Sequence, residues 1–140
     1  MSYQPIIKPR QQPAYEATDS KRILTVLISH DTCDARGVLA GMSLLRPGES
    51  SPYDVHPDME EVFYVISGRG TARIDENRYP IQGGDVMYVQ NGSYHQFIAA
   101  DDCSLHLFWA FAAHPDEEFK EKFKKWKPVE WPVEETAGAR

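Results

Sequence analysis

Two histidines and two carboxylates in the central part of the chain are residues that could bind a divalent metal ion. His56 and Glu61 lie in one stretch together with Asp54, and His95 lies in a second stretch further along. Imidazole nitrogens and carboxylate oxygens are ligands of iron, manganese, nickel and zinc in proteins. We therefore predict a metal site at His56, Glu61 and His95, to which Asp54 could add a fourth ligand.

The segments around these residues alternate between apolar and polar side chains, which is typical of β-strands. Strands this short, separated by turns, indicate an all-β sandwich or barrel. Because the candidate ligands fall on separate strands, they can meet only if the sheet closes on itself. The predicted strands are residues 21–29, 38–46, 61–67, 71–76, 85–89, 94–98 and 103–111.

The chain is predicted to form a single domain over residues 1–133. Residues 1–20 are rich in proline and glutamine and are predicted to be an extended arm, and residues 21–111 to be the β-barrel. Phe119, Phe123 and Trp126 then recur with helical spacing, so a short helix is predicted at residues 115–127. Residues 134–140 are predicted to be a disordered tail.

The composition argues against several classes of partner. A net charge of −6 without a concentrated basic stripe disfavours binding to nucleic acid and to an anionic membrane surface. The first residues lack the apolar core of a secretory signal, and the longest nearly apolar run falls far short of the roughly 20 residues of a membrane helix. Cys33 and Cys103 match no metal or redox motif and are expected to be reduced thiols. We expect a cytoplasmic protein whose partner is a small molecule.

The spacing of the candidate ligands resembles the paired motifs of the cupin superfamily. The first motif contains a glycine, a His-x-His pair, a glutamate and a second glycine, and the second contains a glycine, Pro-x-Gly, a histidine and an asparagine. This sequence keeps every spacing in both motifs and seven of the ten specified residues. The matching residues are Gly48, His56, Glu61 and Gly68 in the first motif, and Gly84, Gly92 and His95 in the second.

Three residues depart from these motifs. Asp54 takes the place of the first histidine, Gln90 that of the proline and Ala99 that of the asparagine. The departure at Asp54 leaves two arrangements open. In the first, Asp54 joins the other three residues as a fourth ligand. In the second, only His56, Glu61 and His95 bind the metal, and Asp54 lies beside them or faces water. The second arrangement resembles the 2-His-1-carboxylate triad of iron(II) oxygenases. Iron(II) or manganese(II) is the expected metal, with nickel and zinc as alternatives.

The resemblance implies a cupin-type double-stranded β-helix, which is a jelly-roll barrel, and strand alternation then predicts which residues line its pocket. If Glu61 points inward, Phe63 and Val65 do so too, and His95 brings Phe97 with it. His106 lies in the last predicted strand and is added as a candidate pocket residue. Such a pocket would be mostly apolar and aromatic, as small-molecule sites usually are.

The resemblance also implies a function and an assembly. We expect a metal-dependent enzyme acting on a small organic molecule, with dioxygenase, isomerase and lyase chemistry all open. Some small cupin lyases use a tyrosine two residues after the motif glutamate as a base, and here Phe63 holds that place. The alternative is a non-catalytic module that binds a sugar or metabolite. Cupins commonly dimerise, often by exchanging an N-terminal strand, so a homodimer is expected.

Overall fold

The structure is a computed structural model that describes residues 5–112 and 116–131. The tail predicted at residues 134–140 lies outside the described residues. The first half of the described chain contains a 3-10 turn (Pro9–Gln11), β1 (Ala14–Glu16), β2 (Ile23–Ile28), α1 (His30–Cys33), β3 (Leu39–Leu45), β4 (Asp54–Val55) and β5 (Glu61–Ile74). The second half contains β6 (Asn77–Gln82), β7 (Val86–Val89), β8 (Tyr94–Ala99), β9 (Leu105–Phe111), α2 (Asp116–Phe123) and β10 (Lys127–Val129).

The described strands form two antiparallel sheets that share β5. The larger sheet has the order β10-β1-β2-β3-β9-β5-β7, and the smaller has the order β6-β5-β8-β4. Several pairings join strands that are distant in sequence, among them β3 with β9, β4 with β8 and β5 with β9, as in a jelly roll. The predicted all-β jelly-roll fold is confirmed.

Strand β5 corrects one boundary of the sequence prediction. Residues 61–67 and 71–76 were predicted as two strands joined by a turn, but Glu61–Ile74 is one continuous strand. Gly68 has a φ of +92°, and a Cβ at this position would overlap the carbonyl oxygen of Ser104 on the neighbouring chain segment. This glycine therefore permits a close approach of backbone to backbone and a bend between the two sheets, and it does not end the strand.

The larger sheet is buried on both faces around β3. Between the two sheets lies the main core, to which Phe63, Val65 and Trp109 belong. On the opposite face of β1, β2 and β3, a second cluster includes Ile23, Leu44 and Trp131. Strand β3 is buried along its whole length for this reason. A strand with one solvent-exposed face would instead alternate between buried and exposed residues.

The N-terminal arm and the C-terminal segment pair with each other at one edge of the larger sheet. Strand β1 pairs with β2 on one side and with β10 on the other, all within the same chain. The predicted helix at residues 115–127 is shorter, because α2 ends at Phe123 and Lys127–Val129 forms β10. In the described part of the chain, no helix is long and apolar enough to cross a bilayer.

Candidate metal centre

Three strands bring the predicted ligands to one end of the space between the sheets. Glu61 is the first residue of β5, and His95 is the second residue of β8. His56 directly follows β4, whose Asp54 is paired with His95 in the antiparallel register. The alternation of β5 buries Glu61, Phe63 and Val65 and exposes the residues between them, as predicted.

The side chains of His56, Glu61 and His95 converge on one point. Glu61 Oε1 lies 3.3 Å from His95 Nε2 and 3.5 Å from His56 Nε2. One ligand atom from each of the three residues lies within 4.8 Å of the other two. Neighbouring ligands of one ion in octahedral geometry, each about 2.1 Å from it, are about 3 Å apart. The three donors therefore fit a single divalent cation after a small inward shift.

The burial of these groups also fits a metal site. Glu61 is only 3% exposed, and a buried carboxylate is costly unless a cation or hydrogen-bond donors compensate it. Burial, with a smaller contribution from the charge of His56, lowers the pKa of His95 to about 4. His95 is therefore neutral at pH 7, and a neutral imidazole is the form that binds a metal.

Asp54 lies beside this cluster and is not a member of it. Its Oδ2 is 3.8 Å from His56 Nε2, and its side chain is 40% exposed. The group of mutually close ligand atoms contains the two histidines and Glu61 without Asp54. Asp54 Oδ1 instead accepts a hydrogen bond from the backbone N–H of Val55. Of the two arrangements left open by the sequence, the geometry favours three ligands.

The cluster opens into a small cavity with aromatic walls. Phe63 and Phe97 line it, and their ring centroids lie 4.6 Å apart. Val65 shares their face but is fully buried in the core and does not line the cavity. The cavity volume is about 70 Å³, far below the roughly 300–1,000 Å³ of sites for drug-sized ligands. A cavity of this volume suits a ligand of few atoms.

His106 is not a pocket residue, which corrects the prediction. It is paired with Leu44 on β3, and its ring lies 5.2 Å from that of Trp131, in the cluster on the outer face of the larger sheet. The inward residues of β9 are its neighbours Leu105 and Leu107. Because β9 is buried on both sides, alternation along this strand could not predict which face His106 occupies.

His106 should make the stability of the fold depend on pH. Burial lowers its pKa to about 4, and neither ring nitrogen has a hydrogen-bond partner among the described residues. The unfolded chain, with a pKa near 6.5, binds the proton more readily, so stability is lost as the pH falls from 6.5 towards 4. We expect the drop in unfolding free energy between pH 7 and pH 4.5 to be about 2–3 kcal/mol smaller in His106→Phe than in the parent.

Urea unfolding at the two pH values measures this difference. His30→Phe is a suitable control, because the side chain of His30 is 58% exposed. Equal pH dependence in the parent and in His106→Phe would contradict the expected result.

Several cavity residues were not predicted from the sequence. Trp109 and Phe119 form part of the wall, with their rings stacked 5.2 Å apart. Two basic residues, Arg22 from the segment before β2 and Lys122 from α2, also line the cavity. Arg22 shares the face of Leu24, so alternation along β2 could have predicted that Arg22 points inward. A basic residue next to Lys21 is, however, more often on the surface.

A larger cavity, of about 450 Å³, lies elsewhere, between β2 and α2. Tyr15, Val26 and Phe123 are among its lining residues, and none of the three candidate metal ligands is. Although this cavity is larger, it is therefore not the candidate metal site.

Comparison with known proteins supports the fold. The family model described as "Cupin domain" matches residues 41–111, which include all three candidate ligands. The chain is 27% identical over 93 residues to "Protein SchB" of Streptomyces halstedii, covering 64% of this chain and 67% of that protein. It is 28% identical over 79 residues to "Polyketide synthase CurC" of Streptomyces cyaneus, covering 56% of this chain and only 51% of that protein.

A solved structure shares the fold at lower sequence identity. The crystal structure of a predicted oxalate decarboxylase from Thermotoga maritima superposes with a TM-score of 0.68 and 18% identity. The alignment covers 78% of this chain and 99% of the other. At this level of identity the likeness concerns the fold alone.

Proposed function

The chain belongs to the cupin domain family, and from this premise we propose that it is a metal-dependent enzyme acting on a small organic molecule. The observation that carries the proposal is the convergence of His56, Glu61 and His95 on one point in a buried cavity. Three protein ligands on an ion that accepts six leave positions for substrate and for water or oxygen. A site of purely structural metal would be closed by protein ligands.

Iron(II) or manganese(II) is the metal we propose for this site, with nickel and zinc as alternatives. Two imidazoles and one carboxylate form the donor set of the facial triad in iron(II) oxygenases. When bound, such an ion supplies Lewis acidity, acidifies a bound water or binds oxygen. We favour dioxygenase-type chemistry over isomerase or lyase chemistry, because Phe63 provides no base at the position where some cupin lyases have tyrosine.

The residues around the ligands would position the substrate and control its access to water. The rings of Phe63, Phe97 and Trp109 would exclude water from the inner wall. Asp54 Oδ2 is a carboxylate oxygen on the cavity surface that the metal cluster does not use. We propose that it accepts or holds a proton of the substrate, a role for which its partly exposed position leaves it available.

Metal analysis tests this function directly. Protein purified without chelators should contain about one ion of a single element per chain, and a chelator should remove it. Inductively coupled plasma mass spectrometry measures both. The competing function, a module that binds a sugar or metabolite through Asp54 without a metal, predicts a mixture of metals at well below one ion per chain. That result would refute the enzyme proposal.

We also propose that two chains associate. The outer face of β5 and β7 exposes apolar side chains at Val62, Tyr64, Val86 and Tyr88, all at least 43% exposed. Contiguous apolar surface of this kind is typical of a protein interface. Strand β1 already pairs within its own chain, so association by this face needs no exchange of the arm. Light scattering should give twice the mass of the single chain, and the mass of one chain would contradict the proposal.

A further inference from the structure

Arg22 is a charged side chain buried beside the metal cluster. It is only 9% exposed, and it lines the same cavity as Glu61 and His95. Burial lowers the pKa of its guanidinium, but the ordinary value is so high that the group stays charged at neutral pH. A buried positive charge is unfavourable unless an anion or several acceptors compensate it.

The described residues compensate this charge only in part. Asp19 and Asp54 act on Arg22 electrostatically, but neither forms a salt bridge with it in the described part of the chain. The Nε of Arg22 is buried without a hydrogen-bond partner among these residues. Its guanidinium carbon lies 5.1 Å from the centroid of the Trp126 ring, a contact that restricts the orientation of the planar group.

The other charges around the cavity favour an anion as well. Apart from the two histidines, its ionisable lining residues are Arg22, Lys122, Asp54 and Glu61. Two positive and two negative side chains cancel, so a divalent ion at the cluster would leave the cavity with two net positive charges. An anionic ligand would restore neutrality and is attracted by this field.

We propose that the substrate is a small carboxylic acid whose carboxylate pairs with Arg22, while its remaining polar end faces the metal cluster. This inference rests on the proposed function and adds the substrate class to it. The guanidinium presents parallel N–H donors that match the two oxygens of a carboxylate. The cavity of about 70 Å³ and its aromatic wall leave room for a short carbon skeleton only.

Pyruvate and pyruvamide form a suitable pair of probes, since they have nearly the same shape and differ in charge. We expect calorimetric titration of the manganese-loaded protein to show pyruvate binding at least about tenfold more tightly than pyruvamide. Arg22→Gln should abolish this preference and leave the manganese content unchanged. Arg22→Lys keeps the charge without the planar fork, so pyruvate binding should weaken at least about threefold.

Arg36→Gln is the matched control, because the side chain of Arg36 is 78% exposed and pairs with Asp34 outside the cavity. It should retain the full preference for pyruvate. Equal binding of the two probes to the parent protein, or an unchanged preference in Arg22→Gln, would overturn the inference. If Arg22→Gln does not fold, an unchanged pyruvate affinity in Arg22→Lys overturns it. Tighter binding of methyl phosphate than of pyruvate would also overturn it, in favour of phosphate esters.

The experiment separates this inference from the metal proposal. Titration of the metal-free protein tests Arg22 alone, and a preference for pyruvate that Arg22→Gln removes would support the anion site even if no metal binds. Conversely, one bound ion per chain without any dependence on Arg22 would leave the metal-dependent function standing and refute the carboxylate anchor.

Discussion

His95→Ala is expected to reduce bound manganese from about one ion per chain to less than about a tenth, and His56→Ala is expected to do the same. Each variant removes one of three ligands whose donor atoms lie within 4.8 Å of one another. The remaining histidine and Glu61 are too few to hold the ion against water and buffer. Manganese content after dialysis, measured by mass spectrometry, shows the loss.

Two controls make this result specific. His30→Ala removes an exposed imidazole that does not belong to the ligand cluster, so this variant should keep one ion per chain. Asp54→Asn should also keep the ion, because Asp54 lies outside the cluster of ligand atoms. A loss in Asp54→Asn as large as that in His95→Ala would place Asp54 among the ligands. Full metal content in both histidine variants would refute the site.

Gly68→Ala is expected to reduce the unfolding free energy by at least about 4 kcal/mol, which most single domains cannot lose and stay folded. Two effects add at this position. The backbone has a φ of +92°, where a side chain is strained, and the new Cβ would overlap the carbonyl oxygen of Ser104. Since that oxygen belongs to the backbone, the collision cannot be relieved by a change of rotamer.

Gly84→Ala separates the two effects. Gly84 has a similar φ of +97°, but a Cβ there would have no neighbouring atom within 4 Å. The unfolding free energy of this variant should fall by only about 1–2 kcal/mol, which is the conformational cost of a side chain at positive φ. Urea unfolding of both variants gives the comparison, and insolubility of Gly68→Ala alone would agree with the expected order. Equal losses in the two variants would contradict the close contact at Gly68.

The spacing of the candidate ligands predicted which side chains share the inward face, because alternation along a strand determines this. Glu61 fixes the inward face for Phe63 and Val65, and His95 does so for Phe97. The spacing does not predict which of the inward residues line the cavity and which are packed in the core. Val65 faces inward, yet it is packed in the core, whereas Phe63 reaches the cavity. Only the three-dimensional arrangement distinguishes these positions.

The remaining differences have physical causes that no local pattern reveals. His106 lies on a strand covered on both sides, so its apolar neighbours do not identify a single core. The edge strand β6 includes Pro80, and proline is depleted in strands in general although edge strands tolerate it. Strand β10 exists because β1 offers it a pairing partner about a hundred residues earlier in the sequence. Arg22 contacts Trp126, which lies more than a hundred residues later in the sequence, so no local pattern could predict this contact.

Strand β5 crosses from one sheet to the other without interruption, carrying Glu61 at its start and Ile74 at its end. Its first half is bonded to β7 and β9, and its second half to β6 and β8. The two sheets therefore cannot melt independently, since detaching the strand from either one distorts the other. Amide hydrogens around Glu61 and those around Ile74, at the two ends of the strand, consequently exchange with solvent through the same cooperative opening.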